Sequence, residues 1–533
     1  MKYIYLSFVL LISSLPAFSQ FTNIEIDNST GSDYLSEPFI NFNPDNPNEI
    51  VVGTNLSYAF YSHDGGFNWT KVELTSDYGV YGDPCVVCDT NGDFYFFHLS
   101  DPGESGGDDW VDRVVCQKST DAGVSWNDIS YTGLNGIKKN DKEYAVIDRS
   151  TNNIYLTWTQ ADAYHSSAPE DSSIILFSAS EDAGVTWNQP LRLSKKAGDS
   201  NGGINMLRSA VPCIGPDGQI YVAWAGSNSI GELGIVFDKS IDNGYTWLQE
   251  DKFVSFIPGG CQFHIPGIWQ QDDGTDPGTG WPNTACDTSG GIYNGNIYIC
   301  WADQRNDPND ADIWFVRSED EGETWSSPFR VNNDPSGNHQ FFPFMTIDQT
   351  NGYIYIVFYD RRNHTDNATD VFLAVSEDGG ETFINRKISS TPFTPTEDVF
   401  FGDYTNIIAY NNMIRPVWTR LNGGTISIQT AIIEAPLLVE NIDHILLETE
   451  SYPNPFKDEI HFSFKLREKS EVSLSFCDVF GREIKILRQN ESLKPGKHVE
   501  TLNAEHLNLI SGMYFFKLTS DNKVTIREVV YTK

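Results

Sequence analysis

One eight-residue pattern occurs six times in this chain and constrains its fold more than any other feature. The pattern is Ser-x-Asp-x-Gly-x-[Thr/Ser/Asn]-aromatic, and its copies begin at Ser62, Ser119, Ser180, Ser240, Ser318 and Ser376. Glycine accepts the positive φ angle of a tight turn, and the aspartate carboxylate can accept hydrogen bonds from the backbone of its own turn. Regular recurrence of such a turn predicts a repeat architecture in which each copy stabilises one repeat.

Two strand-like runs precede each copy, for example Ala210–Gly215 and then residues 219–224. The other pairs begin near Pro38, Pro84, Glu143, Pro282, Pro343 and Thr405, which makes seven pairs for six turn motifs. The seventh unit has a third run, Thr425–Ile433, without a turn motif. Residues 22–28 can supply its fourth strand and close a ring. We therefore favour seven four-stranded blades, and six blades are the alternative.

The six motifs resemble the Asp-box, or BNR repeat, of sialidase-type β-propellers, and the resemblance covers residues 20–433. It implies an all-β propeller in which the motif carboxylates are structural rather than catalytic. These carboxylates belong to Asp64, Asp121, Asp182, Asp242, Asp320 and Asp378.

The pattern changes after Glu434, where residues 434–450 are predicted to be a linker. The remaining residues, 451–533, contain Ser451-Tyr-Pro-Asn-Pro-Phe456, Val479-Phe-Gly-Arg482 and Ser511-Gly-Met-Tyr-Phe515. These motifs resemble the C-terminal sorting domain of type IX secretion, a small β-sandwich. The resemblance implies handling by that secretion machinery, export across the outer membrane, and then surface attachment or release. An ordinary accessory β-sandwich is the alternative.

Residues 1–19 are predicted to be a secretory signal peptide. Lys2 is its basic start, Tyr3–Leu15 its apolar core, and Ala17-Phe18-Ser19 fits a cleavage site. We expect no transmembrane segment elsewhere, because no other run is long and apolar enough. The formal net charge of −37 argues against nucleic-acid and anionic-membrane partners, which require a basic patch.

Eight cysteines accompany the export signal, and Cys286 and Cys300 are a candidate disulfide pair on neighbouring strands. Cys85 and Cys88 lie within one strand with side chains on opposite faces, which argues against a redox or zinc site. We predict no cofactor and no metal site, because no His/Cys cluster has ligand spacing. Acidic loops such as Asp307–Asp312 and residues 272–273 offer oxygen ligands for Ca²⁺, although solvated loops are the preferred interpretation.

Propeller topology predicts where a site would lie. The first strand of each blade lines the axis, so the leading residues of the first strands converge on the face opposite the turn motifs. Equivalent positions in the seven units are Glu37, Asp83, Lys142, Ser209, Trp281, Phe342 and Tyr404. Asp141, Arg208, Asp403 and Glu143 stand next to them. A purely structural position would look alike in every blade, so the departures are the candidate site: Lys142 with Glu143, Arg208, and Asp403 with Tyr404.

The sialidase resemblance implies specific roles for such residues. Three arginines, Arg208, Arg305 and Arg361, would bind the substrate carboxylate. Tyr404 would be the nucleophile, Glu143 its base, and Asp83 the acid/base. Lys142 and Asp403 would complete the substrate site. An alternative role for Arg305 and Arg361 is to brace strand ends through the neighbouring Asp303 and Asp360.

Three functions remain open from the sequence. The first is a glycoside hydrolase on extracellular glycans, with an exo-sialidase as the most concrete form. The second is a non-catalytic propeller that binds a glycan or a protein, for which Trp269 and Trp281 would provide stacking surfaces. The third is a polysaccharide lyase that uses His264 or His339 as its base.

Overall fold

The computed structural model describes most of the chain in two compact units, Met1–Glu434 and Ala435–Lys533. The described residues are 21–29, 35–103, 107, 109–202, 205–228, 231–258, 260, 262–269, 280–335, 337–400, 402–434, 446–466, 469–477, 482–505, 507, 509–520 and 523–533. The predicted signal peptide, most of the predicted linker, Cys261 and residues 272–273 lie outside this set. Within it the regular structure is all strand, and no helix is long and apolar enough to cross a membrane.

Twenty-nine strands are described in the first unit. The first ten are β1 (Thr22–Ser29), β2 (Phe39–Asn43), β3 (Asn46–Thr54), β4 (Tyr58–Ser62), β5 (Thr70–Glu73), β6 (Gly82–Cys88), β7 (Phe94–Leu99), β8 (Val114–Ser119), β9 (Asn127–Thr132) and β10 (Lys139–Asp148). The next ten are β11 (Asn153–Ala161), β12 (Ser172–Ser180), β13 (Leu191–Arg192), β14 (Gly198–Asp199), β15 (Arg208–Ile214), β16 (Ile220–Ser227), β17 (Leu233–Ser240), β18 (Lys252–Phe256), β19 (Asn283–Cys286) and β20 (Ile297–Asp307). The last nine are β21 (Asp310–Ser318), β22 (Phe329–Arg330), β23 (Gln340–Asp348), β24 (Tyr353–Asp360), β25 (Asp370–Ser376), β26 (Ile384–Lys387), β27 (Asn406–Tyr410), β28 (Met413–Asn422) and β29 (Thr425–Glu434).

These strands form seven antiparallel sheets among the described residues, numbered here as blades in chain order. Blades 1 to 6 begin with β2, β6, β10, β15, β19 and β23, and each runs through its next three strands in order. In blade 3 the short β14 also pairs with β12. Blade 7 has the order β27-β28-β29-β1. The first strands of successive blades contact one another, and β27 contacts β2, so the blades follow one another in a closed ring.

The N-terminal strand completes the last blade, which confirms the predicted strand donation. β1 pairs antiparallel with β29, from Thr22 opposite Ile432 to Ser29 opposite Ile426. Without β1, the backbone groups along one side of β29 would form an open sheet edge. The two ends of the first unit are therefore joined by main-chain hydrogen bonds.

Large buried side chains on the second strands explain why this sequence forms packed blades. A tryptophan that is at most 1% exposed lies on the second strand of four blades, namely Trp158, Trp224, Trp301 and Trp418. Each such ring removes a large apolar area from water. β-branched and aromatic neighbours on the same strands favour the extended backbone.

Each turn motif lies between the third and fourth strands of blades 1 to 6 and has the same hydrogen bonds. In all six copies the serine Oγ donates to the aspartate Oδ1 at 2.8–2.9 Å, and the glycine N–H donates to the serine Oγ at 2.8–2.9 Å. The aspartate Oδ2 accepts from the Asn, Ser or Thr side chain at 2.6 Å. In the fifth copy, bonds from the Thr324 side chain and backbone lower the pKa of Asp320 to about 2.

The glycine of the motif is required by both backbone and packing. Gly244 has φ +87°, and a Cβ atom there would lie 2.4 Å from the ring of Phe177 in the neighbouring blade. The geometry, repeated in all six copies, therefore brings each turn into contact with the blade before it.

The predicted disulfide is wrong. Seven described cysteines, including Cys286 and Cys300, are buried free thiols. The register pairs Cys300 with Asn283 and Cys286 with Ile297, so the two thiols are not opposite each other. Burial raises the pKa of the thiols of Cys85 and Cys88, as expected of unreactive core residues.

The second unit consists of two antiparallel sheets. Its strands are β30 (Leu446–Tyr452), β31 (Glu459–Leu466), β32 (Ser470–Cys477), β33 (Glu483–Leu493), β34 (Gly496–Asn503), β35 (Gly512–Ser520) and β36 (Lys523–Tyr531). The sheet orders are β30-β31-β34 and β33-β32-β35-β36. Phe462, Phe476 and Phe516 are fully buried in one apolar core, which fits the predicted small β-sandwich.

Candidate functional site: an axial carboxylate cluster

The predicted ring positions share an unusual backbone conformation at the start of the first strands. Five of them have φ angles of 51–56° without being glycine: Glu37, Asp83, Lys142, Ser209 and Phe342. In blades 2, 3, 4 and 6 the strand register shifts at this position. Non-glycine residues in the left-handed region carry strain and concentrate at functional sites. The repeated kink presents one side chain from each of these blades at the same level of the ring.

Lys142 is the centre of a buried ion-pair cluster. Its Nζ lies 3.1 Å from Asp83 Oδ2, 3.3 Å from Glu37 Oε1 and 3.3 Å from Asp403 Oδ1. The rings of Trp281 and Tyr404 lie with their centroids 5.1 and 5.3 Å from the same atom. Residues from five blades, or from the segments that lead into them, therefore meet at one ammonium group.

The members of the cluster differ in their exposure to solvent. Glu37 is 1% exposed, whereas Asp83, Asp403 and Tyr404 are each 7–8% exposed. Asn55, on the turn between β3 and β4, donates a hydrogen bond from its side chain to Glu37 Oε2 and accepts one from the backbone N–H of Asp83 at 2.7 Å. Glu37 is thus held inside, and Asp83, Asp403 and Tyr404 are the groups that retain some access to solvent.

A second ion pair flanks the first. Arg208 Nη2 lies 3.9 Å from Asp141 Oδ2, and the Tyr164 hydroxyl donates to the same carboxylate oxygen at 3.2 Å. The Arg208 guanidinium lies 5.9 Å from the centroid of Trp281. The Trp281 ring therefore lies within 6 Å of a cation from each of the two ion-pair groups.

Burial, and then the neighbouring charges, shift the pKa values of the carboxyl groups in the cluster. Burial, with the nearby Asp403 charge, raises the pKa of Glu37 to about 8, although Lys142 opposes the shift. Burial raises the pKa of Asp83 to about 6, again against Lys142. The pKa values of Asp141 and Asp403 are also raised by burial. Burial opposes the charge of Lys142, but the surrounding carboxylates raise its pKa well above the ordinary value.

Glu143 has no hydrogen-bond partner for either carboxylate oxygen among the described residues and is 2% exposed. Burial, followed by the Asp83 charge, raises its pKa well above the ordinary value.

Tyr404 is surrounded by different carboxyl groups. Burial and the charges of Glu37 and Asp83 raise the pKa of its hydroxyl well above the ordinary value. Glu37 is therefore the carboxyl group whose charge raises the Tyr404 pKa most. The sequence had suggested no role for it. Its position in the ring of equivalent residues was the signal that could have found it.

The other two predicted arginines have separate partners. Arg305 binds Asp303 through Nε at 2.9 Å and through Nη2 at 2.5 Å, and Nη2 also donates to the carbonyl of Phe256 at 3.0 Å. Arg361 donates to Thr369 Oγ1 and to the Pro266 carbonyl. The described bonds of Arg305 match the bracing alternative, and no described bond joins either arginine to Lys142 or Asp403.

Next to the cluster, the first strands of the blades enclose a channel of about 880 Å³ along the axis of the ring. Its wall consists of the first strands of the blades, including Phe39, Tyr144 and Phe344, and it extends to the turn at Asp148–Ser150. The ion-pair cluster therefore lies at one end of the axial channel, on the face opposite the turn motifs. In the described part of the chain no three His, Cys, Asp or Glu side chains are grouped to hold a metal ion.

Comparison with known families identifies the second unit. Residues 450–532 match the family model described as secretion system C-terminal sorting domain. This match confirms the predicted sorting domain, and it shows that the protein is exported across the outer membrane to the cell surface or the extracellular space. Comparison with curated protein sequences finds no match.

Several solved propeller structures are distantly similar to the chain. A Hadza microbial sialidase aligns with 13% identity and a TM-score of 0.42 over 73% of this chain and 74% of its own. A Penicillium chrysogenum α-L-arabinanase aligns with 14% identity and a TM-score of 0.42 over 68% and 99%. A polysaccharide lyase described as an ulvan lyase aligns with 14% identity and a TM-score of 0.45 over 78% and 96%.

Similarities this distant carry no information on activity. The fold itself is evident from the sheets of the first unit, and the export route from the second. The chain is therefore an exported all-β protein in which a β-propeller is followed by a secretion-system C-terminal sorting domain.

Proposed function

We propose that the propeller is a glycoside hydrolase that acts on glycans outside the cell, with its chemistry at the axial carboxylate cluster. The observation that carries the proposal is that Asp83 and Asp403 lie 3.1 and 3.3 Å from the Nζ of Lys142, on the face of the ring opposite the turn motifs. Glycoside hydrolysis needs two carboxyl groups on either side of the bond that breaks.

Asp83 is the proposed general acid. Its pKa of about 6 leaves about half of the group protonated at pH 6 and about a tenth at pH 7, and the protonated form is the one that donates to a leaving oxygen. The physical cause is burial, which outweighs the attraction of Lys142.

Asp403 is the proposed second carboxylate. The positive charge of Lys142 favours its ionised form and opposes the effect of burial. Because the two carboxylate oxygens lie 3.1 and 3.3 Å from one Nζ atom, they are at most about 6.4 Å apart, which is below the carboxyl spacing of inverting enzymes, about 6.5–9.5 Å. We therefore propose that the anomeric configuration is retained.

The sialidase form of this proposal would use Tyr404 as the nucleophile. In that form the ionised fraction of Asp83, whose pKa is about 6, would accept the proton of the Tyr404 hydroxyl, because Glu37, with a pKa of about 8, holds its own proton at neutral pH. Against a three-arginine carboxylate site, Arg305 is already paired with Asp303. An exo-sialidase is thus one outcome of the test rather than its premise.

The experiment is a product assay of the purified protein against neutral, uronate-containing, sulfated and sialylated oligosaccharides, read by mass spectrometry. The variants are Asp83→Asn, Asp403→Asn and Tyr404→Phe. The matched control is Asp217→Asn, because Asp217 is exposed on the turn between β15 and β16. We expect Asp83→Asn and Asp403→Asn to lower turnover at least about 100-fold, the usual contribution of a positioned acid or base. Turnover unchanged in both variants would reject the axial cluster as the place of the chemistry, and no cleavage of any glycan would reject the hydrolase in favour of a binding propeller.

A further inference from the structure

Two buried aspartates lie where blade 5 joins blade 6. Asp310 begins β21, and Asp334 lies on the connection between β22 and β23. Each is 4% exposed. Asp310 Oδ2 accepts a hydrogen bond from the backbone N–H of Gly337 at 3.0 Å, which places this connection against the start of β21. The other oxygen of Asp310, Oδ1, and the Oδ2 of Asp334 are buried without a hydrogen-bond partner among the described residues.

A third oxygen of this group lacks a full hydrogen bond. Asn332 Nδ2 lies 2.7 Å from Asp312 Oδ1, 2.6 Å from Asp334 Oδ1 and 2.6 Å from Gln340 Oε1. An amide nitrogen carries two hydrogens, so it cannot donate a full bond to each of three oxygens. The amide is not reversed, because Asn332 Oδ1 accepts from the backbone N–H of Ile313 at 2.8 Å. Oxygens from β21, the connection and β23 therefore converge where donors are too few.

The negative charge of the group exceeds its positive charge. Among the described residues, its one ion pair joins Asp312 Oδ1 to Arg330 Nη1 at 3.2 Å. The Arg330 Nη2 donates to the backbone carbonyl of Asp334 rather than to its carboxylate. Burial raises the pKa of Asp310, and the charges of Asp312 and Asp334 add to the shift. Buried carboxylates are costly in free energy unless a cation supplies the opposite charge.

Blade 6 has a cation at the corresponding position. Asp370 occupies the register position of Asp312, because each pairs with an aspartate of the second strand. Lys387 Nζ lies 2.8 Å from Asp370 Oδ1. Two residues earlier, blade 6 has Ala368 where blade 5 has Asp310. The additional buried carboxylate of blade 5 is therefore not a requirement of the blade fold.

We propose that Asp310 Oδ1, Asp334 Oδ2 and Gln340 Oε1 bind one Ca²⁺ ion, which ties the β20–β21 hairpin to the connection that enters blade 6. The two positive charges of the ion balance the two carboxylates that have no cation. Calcium takes about six to eight oxygen ligands, and backbone carbonyls and water complete the set. A water molecule alone would satisfy the free oxygens but leave their charge uncompensated.

This assignment does not depend on the proposed hydrolase. It divides the acidic run Asp307–Asp312, because Asp307 is exposed and Asp310 is buried. Two carboxylates with free oxygens are fewer than the three acidic or histidine side chains of a preformed metal centre, and no such centre is found in the described part of the chain. The amide oxygen of Gln340 is the third protein ligand.

The test measures the Tm of the full-length protein, first treated with EDTA and dialysed, as CaCl₂ is raised from about 10 μM to about 10 mM. Sodium chloride at matched ionic strength is the salt control, because a chain with a net charge of −37 also attracts cations without a specific site. The variants are Asp310→Asn and Asp334→Asn, which keep the size of the side chain and remove its charge. Asp307→Asn, on the exposed end of the same hairpin, is the matched control.

We expect a saturable rise in Tm in the wild type and in Asp307→Asn, with the affinity for calcium at least about 10-fold weaker in Asp310→Asn and Asp334→Asn. Equilibrium dialysis with radiolabelled calcium is the second measurement, and each of these two variants should bind one ion fewer than Asp307→Asn. A response that sodium chloride reproduces, or a calcium response and stoichiometry unchanged in both variants, would overturn the site. A wild type that does not respond to calcium, with a higher Tm in the two variants, would also overturn it.

Discussion

Replacing Lys142 with methionine tests whether the axial cluster is held together by one charge. Methionine keeps an unbranched side chain one atom shorter and removes the cation that contacts Glu37, Asp83 and Asp403. Removing one partner of a buried ion pair costs about 3–5 kcal/mol, because the remaining charge is left uncompensated. We expect a loss of this size in the free energy of unfolding at pH 7.

The loss should depend on pH with a defined sign. Without Lys142 the carboxyl groups avoid ionisation by binding protons, so their pKa values rise further above the unfolded values near ~4. A carboxyl group with a raised pKa in the folded state stabilises the protein at low pH, and this contribution falls as pH rises through the folded pKa. For each extra proton that the variant binds, its deficit should shrink by about 1.4 kcal/mol per pH unit on going from pH 7 to pH 5.

The assay is urea unfolding of both proteins at pH 5, 6 and 7, followed by tryptophan fluorescence. Lys118→Met is the control, because Lys118 forms a single, partly exposed pair with Asp93 and should cost about 1 kcal/mol or less. A Lys142→Met deficit below about 1 kcal/mol, or one that is the same at all three pH values, would refute the reasoning.

Two further predictions concern the turn motifs and the ring closure. Because hydrogen bonds lower the pKa of Asp320 to about 2, its stabilising contribution is present above the unfolded pKa of ~4 and is lost as pH falls from 4 to 2. Acid titration followed by circular dichroism should therefore show that Asp320→Asn loses less stability than wild type over that range. An equal loss in the two proteins would contradict the prediction. Deleting β1 should expose the edge of β29 and lower Tm, with concentration-dependent association seen by light scattering; an unchanged monomer with an unchanged Tm would show that β1 does not close the ring.

The local rules in the sequence were strong enough to predict the scaffold. The Ser-x-Asp-x-Gly pattern specifies its own turn, since every hydrogen bond it needs lies within five residues. Counting strand-like runs against turn motifs identified a missing fourth strand, and the N-terminal residues supply it. The Cys286–Cys300 pair failed because adjacency of two strands does not determine their register.

The site was only partly predictable for a similar reason. Ring alignment found Asp83, Lys142 and Asp403, because equivalent positions in a closed repeat must converge. It did not find Asn55, which orients Glu37 and Asp83 from a turn between strands. The pairing of Arg305 with Asp303 was named only as an alternative to substrate binding, because a repeat alignment does not contain the rotamers that decide between the two.

The pH dependence of kcat/KM on a cleaved glycan is the most direct test of the central claim, that Asp83 is the general acid of the axial cluster. Because Asp83 must be protonated to act and its pKa is raised to about 6, activity should decline as pH rises through that value. Asp83→Asn should remove this limb along with most of the activity, whereas Asp217→Asn should preserve both. A profile that is flat from pH 5 to pH 8, or a limb near pH 6 that survives in Asp83→Asn, would contradict the assignment.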